Sequence, residues 1–183
     1  MSTHISIDLE TLDTIPTAVV LSCGLVAFDP NTGEIIDKQY TRFIKLDEQV
    51  ARGRTISPST VCWWAGQSDE ARRVMTDRED AGNDTVSGLH GIDTFFGQHA
   101  PVGVWGNGSD FDNAILGALF RSFGQRPPWS YSLNYCMRTL KNLLLPKEFV
   151  KPKRVGTHHN ALDDAEFQAN YISAICKALS LKF

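Results

Sequence analysis

His4-Ile5-Ser6-Ile7-Asp8-Leu9-Glu10 is the stretch on which the fold turns. Ile5, Ile7 and Leu9 recur with the period of two that a strand imposes, so they share one face. Asp8 and Glu10, also two apart, share the other. Two carboxylates side by side on an otherwise apolar strand repel each other and lose hydration together unless a cation sits between them. Hard divalent ions such as Mg²⁺ take oxygen ligands of this kind. The plainer reading is two solvated acids at a strand end, and the Asp-x-Glu triplet alone does not separate the two.

Working outward, Ala18 to Phe28 is a longer, mostly apolar strand, and Asp29-Pro30-Asn31-Thr32-Gly33 is a turn. Glu34 to Leu46 alternates as a third strand, which completes an antiparallel meander. Ser57-Pro58-Ser59-Thr60 opens a short helix carrying Val61, Trp63 and Trp64, and Ser68 caps another. Asp77 to Asp84 reads as a solvated loop. Helical spacing runs over Thr85 to His99, a short strand over Val102 to Trp105, and a buried helix over Phe111 to Phe123. A strand at Ser132 to Tyr135, a helix from Met137 to Leu145, a basic loop from Lys147 to Thr157 and a helix from Asn160 to Leu179 complete the chain. The pattern predicts one α/β domain over residues 1–183. Its central sheet is mixed, with an N-terminal antiparallel three-strand meander flanked by helices.

Composition sets the outer bounds. Hydrophobic residues make up 42% of 183 and charged residues 21%, which excludes a disordered chain or a fibre. No apolar run approaches a membrane span, and MSTHISIDLE has no signal-peptide pattern, so a cytoplasmic location is expected. Cys23, Cys62, Cys136 and Cys176 are scattered and form no Cys-x-x-Cys pair, which removes the zinc-ribbon and thioredoxin readings. The net charge of −3 argues against a protein that coats nucleic acid by charge alone. It does not exclude an enzyme that grips phosphate through metal, because acidic ligands lower the net charge while bound ions restore it locally.

Two further segments carry acids. Gly106-Asn107-Gly108-Ser109-Asp110-Phe111-Asp112 lies between a strand and a helix, the junction at which α/β proteins place their sites. Either Asp110 or Asp112 could simply cap that helix. In His158-His159-Asn160-Ala161-Leu162-Asp163-Asp164-Ala165, the small and apolar positions (Ala161, Leu162, Ala165, then Phe167 and Ala169) suggest a helix packed against the sheet. Asp164 lies in its first turn, where the helix dipole favours a negative charge. His159 lies just before it, on a segment expected to move. Asp163 reads as a solvated acid and His158 as a loop histidine.

Together the three segments resemble the DEDDh exonucleases of the DnaQ-like, ribonuclease H-like superfamily. Asp8 and Glu10 match the first motif, Phe111-Asp112 with Ile115-Leu116 the second, and His159, Ala161, Asp164 and Ala165 the third. Asp8-Leu9-Glu10-Thr11-Leu12, Thr60-Val61-Cys62-Trp63-Trp64 and Trp105-Gly106-Asn107-Gly108 are also similar to a bacterial and phage branch of small 3′→5′ exoribonuclease-like proteins. Many relatives place an asparagine four residues before the second-motif aspartate. Here Gly108 holds that position and Asn107 precedes it, so Asp110 rivals Asp112, with Asp112 favoured because it follows Phe111.

The resemblance implies a 3′→5′ exonuclease acting on the 3′ ends of single-stranded DNA or RNA and releasing nucleoside 5′-monophosphates. It implies two divalent cations, Mg²⁺ with Mn²⁺ able to substitute, bridged by Asp8 and completed by Glu10, Asp112 and Asp164, with His159 as general base. Thr11, Leu12, Trp63, Trp64, Asn107 and Arg138 are the candidate substrate contacts. Arg138, Lys141, Lys147, Lys151, Lys153 and Arg154 form a basic concentration that could track the phosphate backbone, the last four equally a solvated loop. Of the two tryptophans, one is expected in the core. A homodimer is compatible with an exposed Trp63-Trp64 segment. The competing readings are a non-catalytic nucleic-acid-binding module on the same fold, an internally cutting nuclease, and a zinc hydrolase. The last lacks a His/Cys ligand set.

Overall fold

The structure, a computed structural model, describes residues 2–76 and 82–183. Residues 77–81 of the expected loop lie outside the described residues. Strands β1 (His4–Thr11), β2 (Val20–Phe28), β3 (Ile35–Arg42), β4 (Gly103–Gly106) and β5 (Asn134–Cys136) form one sheet in the order β3-β2-β1-β4-β5. β1 with β2 and β2 with β3 pair antiparallel, while β1 with β4 and β4 with β5 pair parallel. The expected meander is present, and two parallel strands extend it into a mixed sheet. The helices are α1 (Leu46–Ala51), α2 (Pro58–Ala65), α3 (Asp69–Thr76), α4 (Thr85–His99), α5 (Asp112–Ser122), α6 (Met137–Lys141) and α7 (Ala161–Leu179).

Several boundaries move, for physical reasons. The second strand starts at Val20, because Ala18 bridges Thr55 instead and its carbonyl accepts from the Arg54 guanidinium at 2.8 Å. The third strand ends at Arg42, and Leu46 opens α1. Where β3 has left the sheet, the buried side-chain amide of Gln49 takes its place. It donates to Val20 O at 2.9 Å and accepts from Val20 N–H at 2.8 Å. A 3-10 turn at Tyr131–Leu133 delays β5, and α6 stops at Lys141 rather than Leu145.

The period of two in β1 sorts the two layers. Ile5, Ile7 and Leu9 pack with Leu89, Ile92 and Phe96 of α4 and Ile115 and Leu119 of α5. The opposite face of the sheet gathers Val26, Phe28 and Trp105 against Ala165, Ala169 and Ile172 of α7. A third cluster sets Trp64 of α2 and Ala71 of α3 on Leu12, Val19 and Leu21.

The α7 layer lies unusually near the sheet at one point. Gly24 of β2 is the register partner of Asp8. A β-carbon on Gly24 would collide with the backbone of Ala161 and Leu162 at the start of α7. Asn160 caps that helix by accepting from the N–H groups of Leu162 and Asp163. Hydrogen at position 24 is therefore what lets the first turn of α7, with its acids, reach β1. Gly24→Ala should destabilise the fold by roughly 1–3 kcal/mol, read as a lower urea midpoint at unchanged slope. A midpoint matching the wild type would contradict this account of the helix–sheet contact.

Candidate active site

The carboxylates of β1 open into a cavity of about 710 Å³. Asp8, Glu10, Thr11, Trp63, Trp64, Asn107, His159 and Asp164 all line it. Asp164 arrives on the first turn of α7, one residue-triplet past the helix start, and is buried like Glu10. Ligand atoms of Glu10, His159 and Asp164 lie within 4.8 Å of one another, close enough to hold a single ion.

Asp112 rather than Asp110 turns toward this centre. Its carboxylate accepts from Leu9 N–H at 3.2 Å and from Asn107 N–H at 3.0 Å, and it is only 3% exposed. Asp110 is exposed on the loop before α5. The two backbone bonds tie Asp112 to β1 itself, so its position is set by the same strand that carries Asp8 and Glu10.

The electrostatics are those of a site short of positive charge. Burial holds the Asp8 carboxyl well above the usual carboxylate range, and the charges of Asp112 and Glu10 raise it further. Glu10 is pushed up to about 8 by burial and then by Asp112. Burial raises Asp112 to about 7, against the opposing pull of its two backbone N–H donors. Clustered carboxyls with raised proton affinity fit a divalent cation, because the ion replaces the protons that would otherwise neutralise them. Oxygen donors outnumber the single imidazole, which suits Mg²⁺ or Mn²⁺ more than a thiolate-seeking metal.

His159 sits at φ +63°, in the left-handed region that a non-glycine residue enters at a cost. Its backbone N–H donates to Asp164 at 3.0 Å. Thr157 N–H donates to Asp163 at 2.7 Å. Asp163, expected to be solvated, is thus a clamp that pins the segment before α7, and the histidine expected to move is anchored by its backbone. The ring packs edge-on to Trp63, with centroids 4.8 Å apart. Burial first, then the neighbouring positive charges of His158 and Arg154, lower its pKa below the ordinary value. A neutral imidazole at pH 7 is what a general base requires.

The candidate substrate contacts divide. Trp63 is 46% exposed at the cavity, and Trp64 is 1% exposed, its indole N–H donating to Thr11 O at 2.9 Å. One tryptophan is core and one is free to stack. Thr11 lines the cavity, but Leu12 is 7% exposed and belongs to the cluster beneath Trp64, so it braces the wall and does not face the cavity. Arg138 also stays outside. It is exposed and donates to Asn107 O at 2.9 Å, fixing the loop, while Lys141 donates to Asn107 Oδ1 at 2.8 Å and does line the cavity.

Three contributors were missed or given another role by the sequence reading. Gln168, one helical turn past Asp164, donates its amide to Asp8 at 2.6 Å, and its buried Oε1 has no partner. The i,i+4 spacing from Asp164 could have found it. Arg154, read as part of a basic loop, pairs with Asp164. Phe167, read as packing on the sheet, lines the cavity instead.

The family model for the 3′-5′ exoribonuclease Rv2179c-like domain matches residues 3–176. The chain belongs to this family. An exodeoxyribonuclease of Enterobacteria phage T4 is 34% identical over 130 residues, covering 63% of this chain and 54% of the phage protein. The chain therefore spans about half the length of that relative. Escherichia coli exonuclease I in complex with a dT13 oligonucleotide superposes with a TM-score of 0.67 at 16% identity, over 98% of this chain and 42% of the other. The nuclease domain of 3′hExo, a DEDDh family member bound to rAMP, gives 0.66 at 14% identity, over 100% of this chain and 94% of the other. At such identities the two structures establish the shared fold, the one expected from the DEDDh resemblance. No helix among the described residues is long and apolar enough to cross a membrane.

The raised carboxyls carry a pH prediction. Between the ordinary values of 3.8 and 4.5 and the shifted values of about 7 and 8, the folded protein binds more protons than the unfolded chain. Stability must then fall as pH rises across that window. In a chelating buffer the melting temperature should drop between about pH 5 and pH 8.5, and excess Mg²⁺ or Mn²⁺ should offset the drop. A flat profile in chelator would contradict the charge assignment.

Proposed function

We propose that this chain is a metal-dependent 3′→5′ exonuclease on single-stranded DNA or RNA that releases nucleoside 5′-monophosphates. The observation that carries the reading is the convergence of Asp8, Glu10, Asp164 and His159 on one cavity with an exposed aromatic at its wall, backed by the buried Asp112 whose charge acts on Asp8.

Asp8, Glu10, Asp112 and Asp164 would hold two divalent cations. Such a pair supplies Lewis-acid stabilisation to the attacking and leaving oxygens of an in-line displacement. The protein's own groups do the rest. Gln168 fixes one oxygen of Asp8, and the backbone N–H groups of Leu9 and Asn107 fix Asp112. Trp63 offers a face for the terminal base, a contact that tolerates any sequence. His159 takes the proton from the water that attacks the terminal phosphodiester. The water oxygen bonds to phosphorus as the bond from phosphorus to the 3′ oxygen of the preceding nucleotide breaks; that oxygen takes a proton from solvent to become the new 3′ hydroxyl, and the terminal nucleotide leaves with its 5′ phosphate.

The second reading, a binding module without chemistry, predicts a damaged ligand set. All five positions hold competent residues, which favours the enzyme. The test uses 5′-labelled single-stranded DNA and RNA with Mg²⁺ or Mn²⁺, beside a closed circular strand. A ladder shortening from the 3′ end, with the circle intact, is expected. Asp8→Ala should abolish it. His159→Ala should slow turnover roughly 10²- to 10⁴-fold while leaving Mn²⁺ affinity, measured by calorimetry, near wild type. A loss of affinity parallel to the loss of rate would make His159 a metal ligand and overturn its role as base. Unimpaired cleavage by both variants would overturn the reading as a whole.

A further inference from the structure

The cavity has a second aromatic wall. Phe167 and Tyr171 both line it, both are half-buried, and their ring centroids lie 5.8 Å apart. They stand three and seven residues beyond Asp164 on α7, hence roughly 4.5 and 10.5 Å farther along the helix axis. The row leads away from Asp164 and from His159, which precedes the helix, and starts level with Asp8, which Gln168 contacts.

Its surroundings are cationic. Lys151 Nζ lies 5.4 Å from the Phe167 ring centre and 5.6 Å from that of Tyr171. The Arg154 guanidinium is 4.4 Å from the Phe167 ring centre, and both cations line the same cavity. Arg154 also pairs with Asp164. Rings flanked by positive charges suit the bases and phosphates of a single strand.

Direction follows from the chemistry. In-line displacement puts the leaving 3′ oxygen opposite the attacking water. The water is served by His159, so the upstream chain departs on the side away from His159 and Trp63. We propose that Phe167 and Tyr171, with Lys151 and Arg154, form a subsite for the nucleotides immediately upstream of the scissile phosphate. Bases stack on the rings and phosphates meet the cations. The 5.8 Å ring spacing exceeds the rise of about 3.4 Å between stacked duplex bases, so the subsite takes an extended strand. The inference rests on the exonuclease reading.

The test compares a single-stranded dodecanucleotide with thymidine 5′-p-nitrophenyl phosphate, which has no upstream nucleotide. Phe167→Leu keeps the apolar volume and removes the π face. It should raise KM for the dodecanucleotide at least about fivefold more than for the chromogenic substrate, and Phe167→Tyr should restore it. Lys151→Met, at an exposed position, should raise the dodecanucleotide KM and flatten its dependence on salt. Equal effects on the two substrates, or an unchanged salt dependence, would overturn the subsite and leave the exonuclease standing. A wild-type protein inactive on both substrates would overturn both.

Discussion

The site depends on one close approach, that of the first turn of α7 to Gly24 of β2. Gly24 pairs with Asp8, and no side chain larger than hydrogen fits between that strand and Ala161. Because the helix lies so near, Asp164 and Gln168 reach the acids of β1 directly. The same approach concentrates negative charge where little water remains, and it makes the site hungry for cations. Fold and chemistry are thus coupled through a single glycine. Packing of the apolar α7 face holds the helix down against the mutual repulsion of the carboxylates beneath it.

Much of this could be read in the chain before folding. Strand periodicity placed Asp8 and Glu10 on one face, because that inference needs only neighbours in sequence. The same holds for Asp164 in a first helical turn and for the meander at the N-terminus. What was not legible depended on partners distant in sequence. Whether Asp110 or Asp112 faces the acids turns on which carboxylate the N–H of Leu9 meets, a contact across 103 positions. Arg154 looked like one more lysine-loop cation until the fold laid it on Asp164. Leu12 was a candidate substrate contact and either tryptophan a candidate for the core, yet it takes the fold to show that Leu12 and Trp64 form the cluster on which the exposed Trp63 rests. Phe167 and Ala169 looked alike as apolar helix positions, but only the fold shows that one meets the cavity and the other the core.

The acidic balance of the chain, −3 overall, is consistent with this division of labour. Among the described residues, Lys141, Lys151 and Arg154 stand at the cavity itself. On the proposed function, association with a polyanion would draw on this local charge and on aromatic faces, and bound metal ions would neutralise the acids at the point of reaction.

The central claim is that Asp8, Glu10, Asp112 and Asp164 form a two-ion centre. Anomalous scattering from crystals grown with Mn²⁺ and a nucleoside 5′-monophosphate tests it most directly. Two manganese peaks roughly 3.5–4 Å apart are predicted among these four carboxylates, with the product phosphate beside them and His159 within reach of the phosphate but bonded to neither ion. Manganese bound elsewhere, or a single ion held by the His159 imidazole with Glu10 and Asp164 alone, would contradict the account.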